Sequence, residues 1–95
     1  MNNEPILTPG DEIRKELHKR GWTQDVLSQV LKLHLPTINQ IIQGKRAITP
    51  DIAVALGAAF GDGPEKWMQL ESTYRLSLAK LNPDAPSVAA RTRQG

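Results

Sequence analysis

The side chains with the most chemistry to offer lie between Leu35 and Arg46, in the stretch LPTINQIIQGKR. Wound as a helix at about 100° per residue, this stretch gathers Ile38, Ile41 and Ile42 on one side. Pro36, Gln40 and Gln43 fall on the opposite side, with Thr37 and Asn39 at its margins. An amide donates and accepts at once, and a glutamine can bond bidentately to N6 and N7 of adenine in the major groove of DNA. Leu35 and Pro36 have no side-chain donor, but they suit the thymine methyl group, the apolar feature of the same groove. No acid interrupts this face, so nothing on it repels a phosphate. Lys45 and Arg46 follow directly, where the next backbone phosphates would pass. Gln24 would open a preceding helix, where free backbone amides and a side-chain amide can hold a phosphate. Lys32 and His34 are further candidates for phosphate contact. The plainer reading stays open on periodicity alone: amides and a threonine on an exposed helix face are ordinary solvated residues, and a Lys-Arg pair in a loop is commonly just surface.

Other chemistry finds no footing. His18 and His34, the two histidines, lie on different elements without a His-Glu-x-x-His spacing, and read as surface residues. There is no cysteine, hence no disulfide framework and no thiolate metal site. No Gly-x-Ser-x-Gly, no phosphate-cradling glycine loop and no nucleophile beside a base occurs. The expectation is a non-enzyme with no cofactor and no metal. Trp22, Phe60, Trp67 and Tyr74 read as core aromatics, with Trp67 also a candidate for a dimer seam.

Ninety-five residues make one domain. Such a chain buries only about 60–65% of its unfolded surface, so its margin of stability is thin. No apolar run approaches the roughly 20 residues of a membrane span, and MNNEPILTPGD carries no secretory signal. A cytoplasmic location is expected. The net charge of +2, from twelve basic and ten acidic residues, singles out no partner by itself. Its distribution says more: Lys32, Lys45 and Arg46 face a single acid, Asp25, between Gln24 and Arg46, and His18, Lys19 and Arg20 cluster just before. Any basic surface belongs to the first half.

The elements that must position these residues are all helical. Pro9-Gly10-Asp11 opens a first helix that Gly21 stops. Thr23 caps a second, with Leu27, Val30 and Leu31 as its apolar stripe. After Leu33-His34, a third runs from about Leu35 to Gln43 and ends at Gly44. Thr49-Pro50-Asp51 starts a fourth, with Ile52, Leu56 and Phe60 on its inner face. Gly61-Asp62-Gly63-Pro64 leads into a fifth, striped by Trp67, Leu70, Tyr74 and Leu78. No stretch alternates with period two. Residues 1–8 read as a flexible arm, 9–80 as the folded domain, and 81–95, with two prolines and little apolar mass, as a disordered tail or linker.

Two short helices before Gly44-Lys45-Arg46 resemble the helix-turn-helix of the phage-repressor-like (XRE) family. The match continues through ITPDIAVALGAAFGDGPEKWMQLESTYRL and is similar to the HigA (VapI-like) antitoxin family. The fitting positions are Pro9-Gly10, Gln24, Ile38-Asn39, Ile41, Gly44-Lys45-Arg46, Ile48-Thr49, Asp51, Ala53, Leu56, Gly61, Pro64-Glu65, Trp67, Leu70, Tyr74 and Leu76. The Pro-Glu-x-Trp-x-x-Leu element makes the resemblance more specific than a helix-turn-helix alone. It implies an all-α, five-helix, lambda-repressor-like domain with the helix-turn-helix at helices 2 and 3. It implies a homodimeric repressor that binds double-stranded operator DNA in its own promoter and neutralises a RelE-like, mRNA-cleaving toxin. Carried over by position, Leu35, Pro36, Thr37 and Gln40 would read bases, joined by Gln43 from the helix face, while Gln24, Asn39, Lys45 and Arg46 would meet phosphates, with Lys32 and His34 of the turn as further candidates. The dimer contacts would lie in helix 5, at Trp67, Leu70, Tyr74 and Leu78, and beyond it.

The chain departs from the pattern at four places. Lys32 stands at the usual turn glycine, His34 at the Ser/Thr cap of helix 3, Gly57 at a helical alanine and Gly63 at a serine before Pro64. Lys32, with the Leu35-Pro36 opening, keeps a second reading in play, a protein-interaction module without DNA binding; the ending SVAARTRQG, without a closing element, keeps a third, the N-terminal DNA-binding part of a longer IrrE/ImmA-like regulator.

Overall fold

The computed structural model describes residues 8–81. Within them run α1 (Pro9–Arg20), α2 (Gln24–Leu31), α3 (Leu35–Ile42), α4 (Pro50–Phe60) and α5 (Pro64–Leu81), and every regular element there is helical. The proposed arm and tail fall outside the described residues except at their inner ends, where two boundaries move. Thr8 is not arm but the N-cap of α1, its hydroxyl accepting from the amide of Asp11 at 3.0 Å. Leu81 is not tail but the last residue of α5.

Caps explain why the helices start where they do. Thr23 and Thr49 accept from the amides of Val26 and Ile52, each satisfying one orphan first-turn donor. His34 precedes α3 with no side-chain cap bond.

One device ends the first three helices: a left-handed residue whose amide, and that of the next residue, fold back onto the last turn. At Gly21 the bonds run from Gly21 to His18 and from Trp22 to Leu17. At Lys32 they run to Gln29 and from Leu33 to Ser28; at Gly44, to Ile41 and from Lys45 to Gln40. Gly61 is left-handed too, with Asp62 bonding back to Gly57. Lys32, at φ 60°, is the one non-glycine with positive φ among the described residues.

The core is built from Ile13 and Leu17 of α1, Leu27 of α2, the three isoleucines of α3, and Ala53, Leu56, Phe60, Ile48 and Trp67. Val30 departs from its expected place: only Leu27 and Ser28 of α2 are buried, and Val30 stands 45% exposed. Ser28, small where helices cross, turns its hydroxyl to the Asp25 carbonyl. Gly57 has a packing reason, because a Cβ there would press on the backbone of Asp62, Gly63 and Pro64.

Charge supplements this small core. Glu12 and Glu16 of α1 are buried and meet Lys66 of α5, which also pairs with Asp62. Arg20 bonds Glu16, donates to the Phe60 carbonyl at 2.7 Å and lies over the Phe60 ring. Burial pushes the Glu16 carboxyl up, but the Arg20 hydrogen bond and the charges of Lys19, Lys66 and Arg20 outweigh it and hold it below its ordinary 4.5. Lys66 loses charge stabilisation to burial and regains more from Glu12 and Asp62, which hold it above its ordinary 10.5.

Candidate nucleic-acid interface

Helix α3 shows the division expected from its periodicity. Ile38, Ile41 and Ile42 are buried, and Leu35, Pro36, Gln40 and Gln43 are exposed, with Thr37 and Asn39 half-buried between. Leu35 leaves 37% of its surface open at the start of the helix. Around this face lie Gln24, half-buried at the first turn of α2, the exposed Lys32 and His34 in the turn, and the exposed Lys45 and Arg46 beyond α3.

Most cations elsewhere in the domain are paired. Arg14, Lys15, Lys19, Arg20, Lys66 and Arg75 each pair with a carboxylate. Lys32, Lys45 and Arg46 have no ion-pair partner among the described residues, a condition they share only with Lys80 near the far end of α5. Unpaired cations around an acid-free helix face leave the site open to an external polyanion. Elsewhere the paired cations meet carboxylates that are mostly buried, Glu12, Glu16 and Glu71, and only Arg14–Asp11 is exposed on both sides.

The loop after α3 is held by contacts with α5 that leave no periodic pattern in the sequence. Gly44, at φ 80°, lies so close to Tyr74 that a Cβ would stand 2.8 Å from the phenol oxygen. Arg75 donates from Nη1 to the Gly44 carbonyl at 3.2 Å and from Nε to Glu71 at 2.6 Å, and its guanidinium lies over the Tyr74 ring. Helix α5 therefore fixes the turn from which Lys45 and Arg46 project. The Glu71–Arg75 spacing of four was visible in the chain, but its third partner, a backbone carbonyl 31 residues away, left no periodic trace. At the other end of the same turn Gly10 of α1 packs directly on the backbone of Ile42, so α3 is gripped from two sides.

The expected dimer residues divide. Trp67 is 0% exposed, enclosed by its own chain and stacked at a tilt on Phe60, so it has no surface to give a partner. That part of the expectation is corrected: the indole is spent on the core. Leu70 and Tyr74 are half-buried, and Leu78 is 42% exposed on the part of α5 that runs past the core.

A family model described as helix-turn-helix matches residues 12–68. The chain is 31% identical over 88 residues to virulence-associated protein I of Dichelobacter nodosus, covering 92% of this chain and 82% of that protein. Among solved structures, the Pseudomonas aeruginosa antitoxin HigA with the higBA promoter superposes with a TM-score of 0.78 at 30% identity, over 88% of this chain and 91% of that one. A second Pseudomonas aeruginosa protein, in complex with its operator DNA, superposes with a TM-score of 0.71 at 31% identity, over 97% and 90%. Among the described residues no helix is long and apolar enough to cross a membrane.

Proposed function

Because the chain belongs to the helix-turn-helix family, among relatives that include virulence-associated protein I and the HigA antitoxins, we propose that it is a sequence-specific DNA-binding repressor and the antitoxin of a toxin–antitoxin pair. The observation that carries this reading is the acid-free face of α3 ringed by the unpaired Lys32, Lys45 and Arg46, on a fold shared with proteins solved on promoter and operator DNA. In the mechanism we propose, α3 enters the major groove. Leu35, Pro36, Thr37, Gln40 and Gln43 meet base edges, and Gln24, Lys32, His34, Asn39, Lys45 and Arg46 meet phosphates and fix the register. Two protomers joined through α5, at the half-buried Leu70 and Tyr74 and the exposed Leu78, would set two α3 helices about 34 Å apart, one turn of the duplex. Neutralisation of a RelE-like toxin in the cytoplasm and the absence of enzymatic activity are inferred from the relatives.

The rival reading, an interaction module that has lost DNA binding, drew on the lysine at the turn glycine. That support weakens, since Lys32 adopts the left-handed conformation with both fold-back bonds made. The experiment is fluorescence anisotropy on duplexes from the protein's own promoter. Gln40→Ala is expected to cost about 1–3 kcal/mol and relax preference at one base pair, whereas Lys45→Ala should weaken all sequences alike. Equal losses on every duplex from both variants would sink these role assignments.

A further inference from the structure

Gln40 looks, in isolation, like a reader of adenine, since its amide can present one donor and one acceptor to N6 and N7. Its setting changes what it offers. Arg46 Nε lies 2.9 Å from Gln40 Oε1. A guanidinium nitrogen can only donate, so the amide oxygen and not the NH2 group must face it, and the orientation of the Gln40 amide follows from chemistry alone. The pairing arises from the end of α3: Gly44 bonds back to Ile41 and Lys45 to Gln40, and this reversal carries residue 46 back beside residue 40. Tyr74 and Arg75 hold the reversal from behind at Gly44.

With one lone pair of its oxygen taken by a cation, Gln40 offers two N–H donors against a single remaining acceptor site. Arg46 contributes only donors, and its Nη groups have no acceptor among the described residues. Adenine presents an acceptor at N7 and a donor at N6, so its N6–H2 would have to reach the last acceptor site of an oxygen that sits beside a positive charge. Guanine presents acceptors at both N7 and O6, which suits a surface made of donors. We infer that Gln40 and Arg46 act as one unit that selects guanine over adenine at one position of each half-site, with Arg46 the residue that decides which base Gln40 reads. The inference rests on the DNA-binding reading above and adds the base and its determinant. Arg46 has two Nη groups, so one can meet a phosphate oxygen while the other stays beside the base, and the backbone contact would stiffen the pair.

The test is binding-site selection from randomised duplexes with the full chain, comparing wild type, Gln40→Ala and Arg46→Ala. Both side chains are exposed, so melting temperatures should match and a binding change would not reflect unfolding. Wild type should prefer guanine over adenine at one half-site position by about 5- to 150-fold, the range a good bidentate base contact supplies. Gln40→Ala should abolish that preference and identify the position. Arg46→Ala should turn the same position toward adenine while the rest of the half-site is kept. The inference is overturned if wild type already selects adenine there, or if Arg46→Ala lowers affinity for all sequences with no change of preference. A folded wild type that enriches no sequence would instead remove the DNA-binding reading itself.

Discussion

Replacing Gly10 with alanine probes the grip on α3 most severely. A Cβ at this position would overlap the Ile42 carbonyl oxygen and lie 2.7 Å from its carbon. These are backbone atoms in the last turn of α3, and no rotamer change removes them. Overpacking of this kind costs about 1–3 kcal/mol, with a rigid backbone obstacle at the upper end. Alanine returns up to about 1 kcal/mol through its better helix propensity. A net loss of about 2 kcal/mol remains, which for a domain this small lowers the melting temperature by about 8–16 °C. Because relief requires α1 and the end of α3 to part, the Gln40–Lys45 reversal should shift as well. Operator affinity should then fall even at temperatures where the variant is fully folded. Gly21→Ala is the comparison: Gly21 sits at φ 67° with nothing within 4 Å of a new Cβ. It should lose only about 1–2 kcal/mol of left-handed strain and keep its DNA affinity. Thermal melts followed by circular dichroism, with anisotropy on the same samples, check both. A Gly10→Ala protein as stable as wild type would refute the close approach of α1 to α3.

Two further outcomes follow from the same packing. Lys32→Gly should stabilise the chain by about 1 kcal/mol, raising the melting temperature by about 4–8 °C, because Lys32 does at φ 60° what glycine does at three other helix ends; an unchanged or lower melting temperature would contradict the turn geometry. Lys66→Met should cost about 1–3 kcal/mol at neutral pH by leaving the buried Glu12 and Glu16 short of a partner. Glu16 is held below its ordinary 4.5, so the stability it contributes is present above that pH and is lost as pH falls through the lower folded-state value. Removing Lys66 lets the Glu16 value rise and shrinks that contribution. The gap between wild type and Lys66→Met in chemical denaturation should therefore narrow as pH drops below 4.5, and a gap independent of pH would show that the network is not ionic in origin.

Features governed by local chemistry were legible in the chain. Thr23 and Thr49 cap because a hydroxyl beside a first turn has nearby amides to accept from, and Gly21, Gly44 and Gly61 end helices because left-handed backbone favours them. The outward face of α3 followed from a period that three isoleucines define. What escaped were contacts between residues far apart in sequence. Gly10 reads as part of a helix start, and only the approach of α3 shows why no side chain fits there. Arg75 reads as half of a surface ion pair until its bond to the Gly44 carbonyl is seen. Tyr74 and Leu78 share a stripe with Trp67, yet only Trp67 is buried, because periodicity cannot tell that α5 runs past the core it packs on. Gln40 and Arg46, six apart, are not neighbours on any regular helix, so their pairing depends on the reversal at Gly44.

The central claim, that this surface binds DNA through its unpaired cations, is tested most directly by the salt dependence of binding to a duplex from the protein's own promoter. Three such cations per protomer, six per dimer, give a slope of log K against log salt of about −5, and a loss of about 10³-fold in affinity between 50 and 200 mM salt. The account predicts saturable binding at the lower salt with that slope, reduced by about 2 when Lys45→Ala removes one contact from each protomer. Absence of binding at low salt by a folded protein, or binding indifferent to salt, would contradict it.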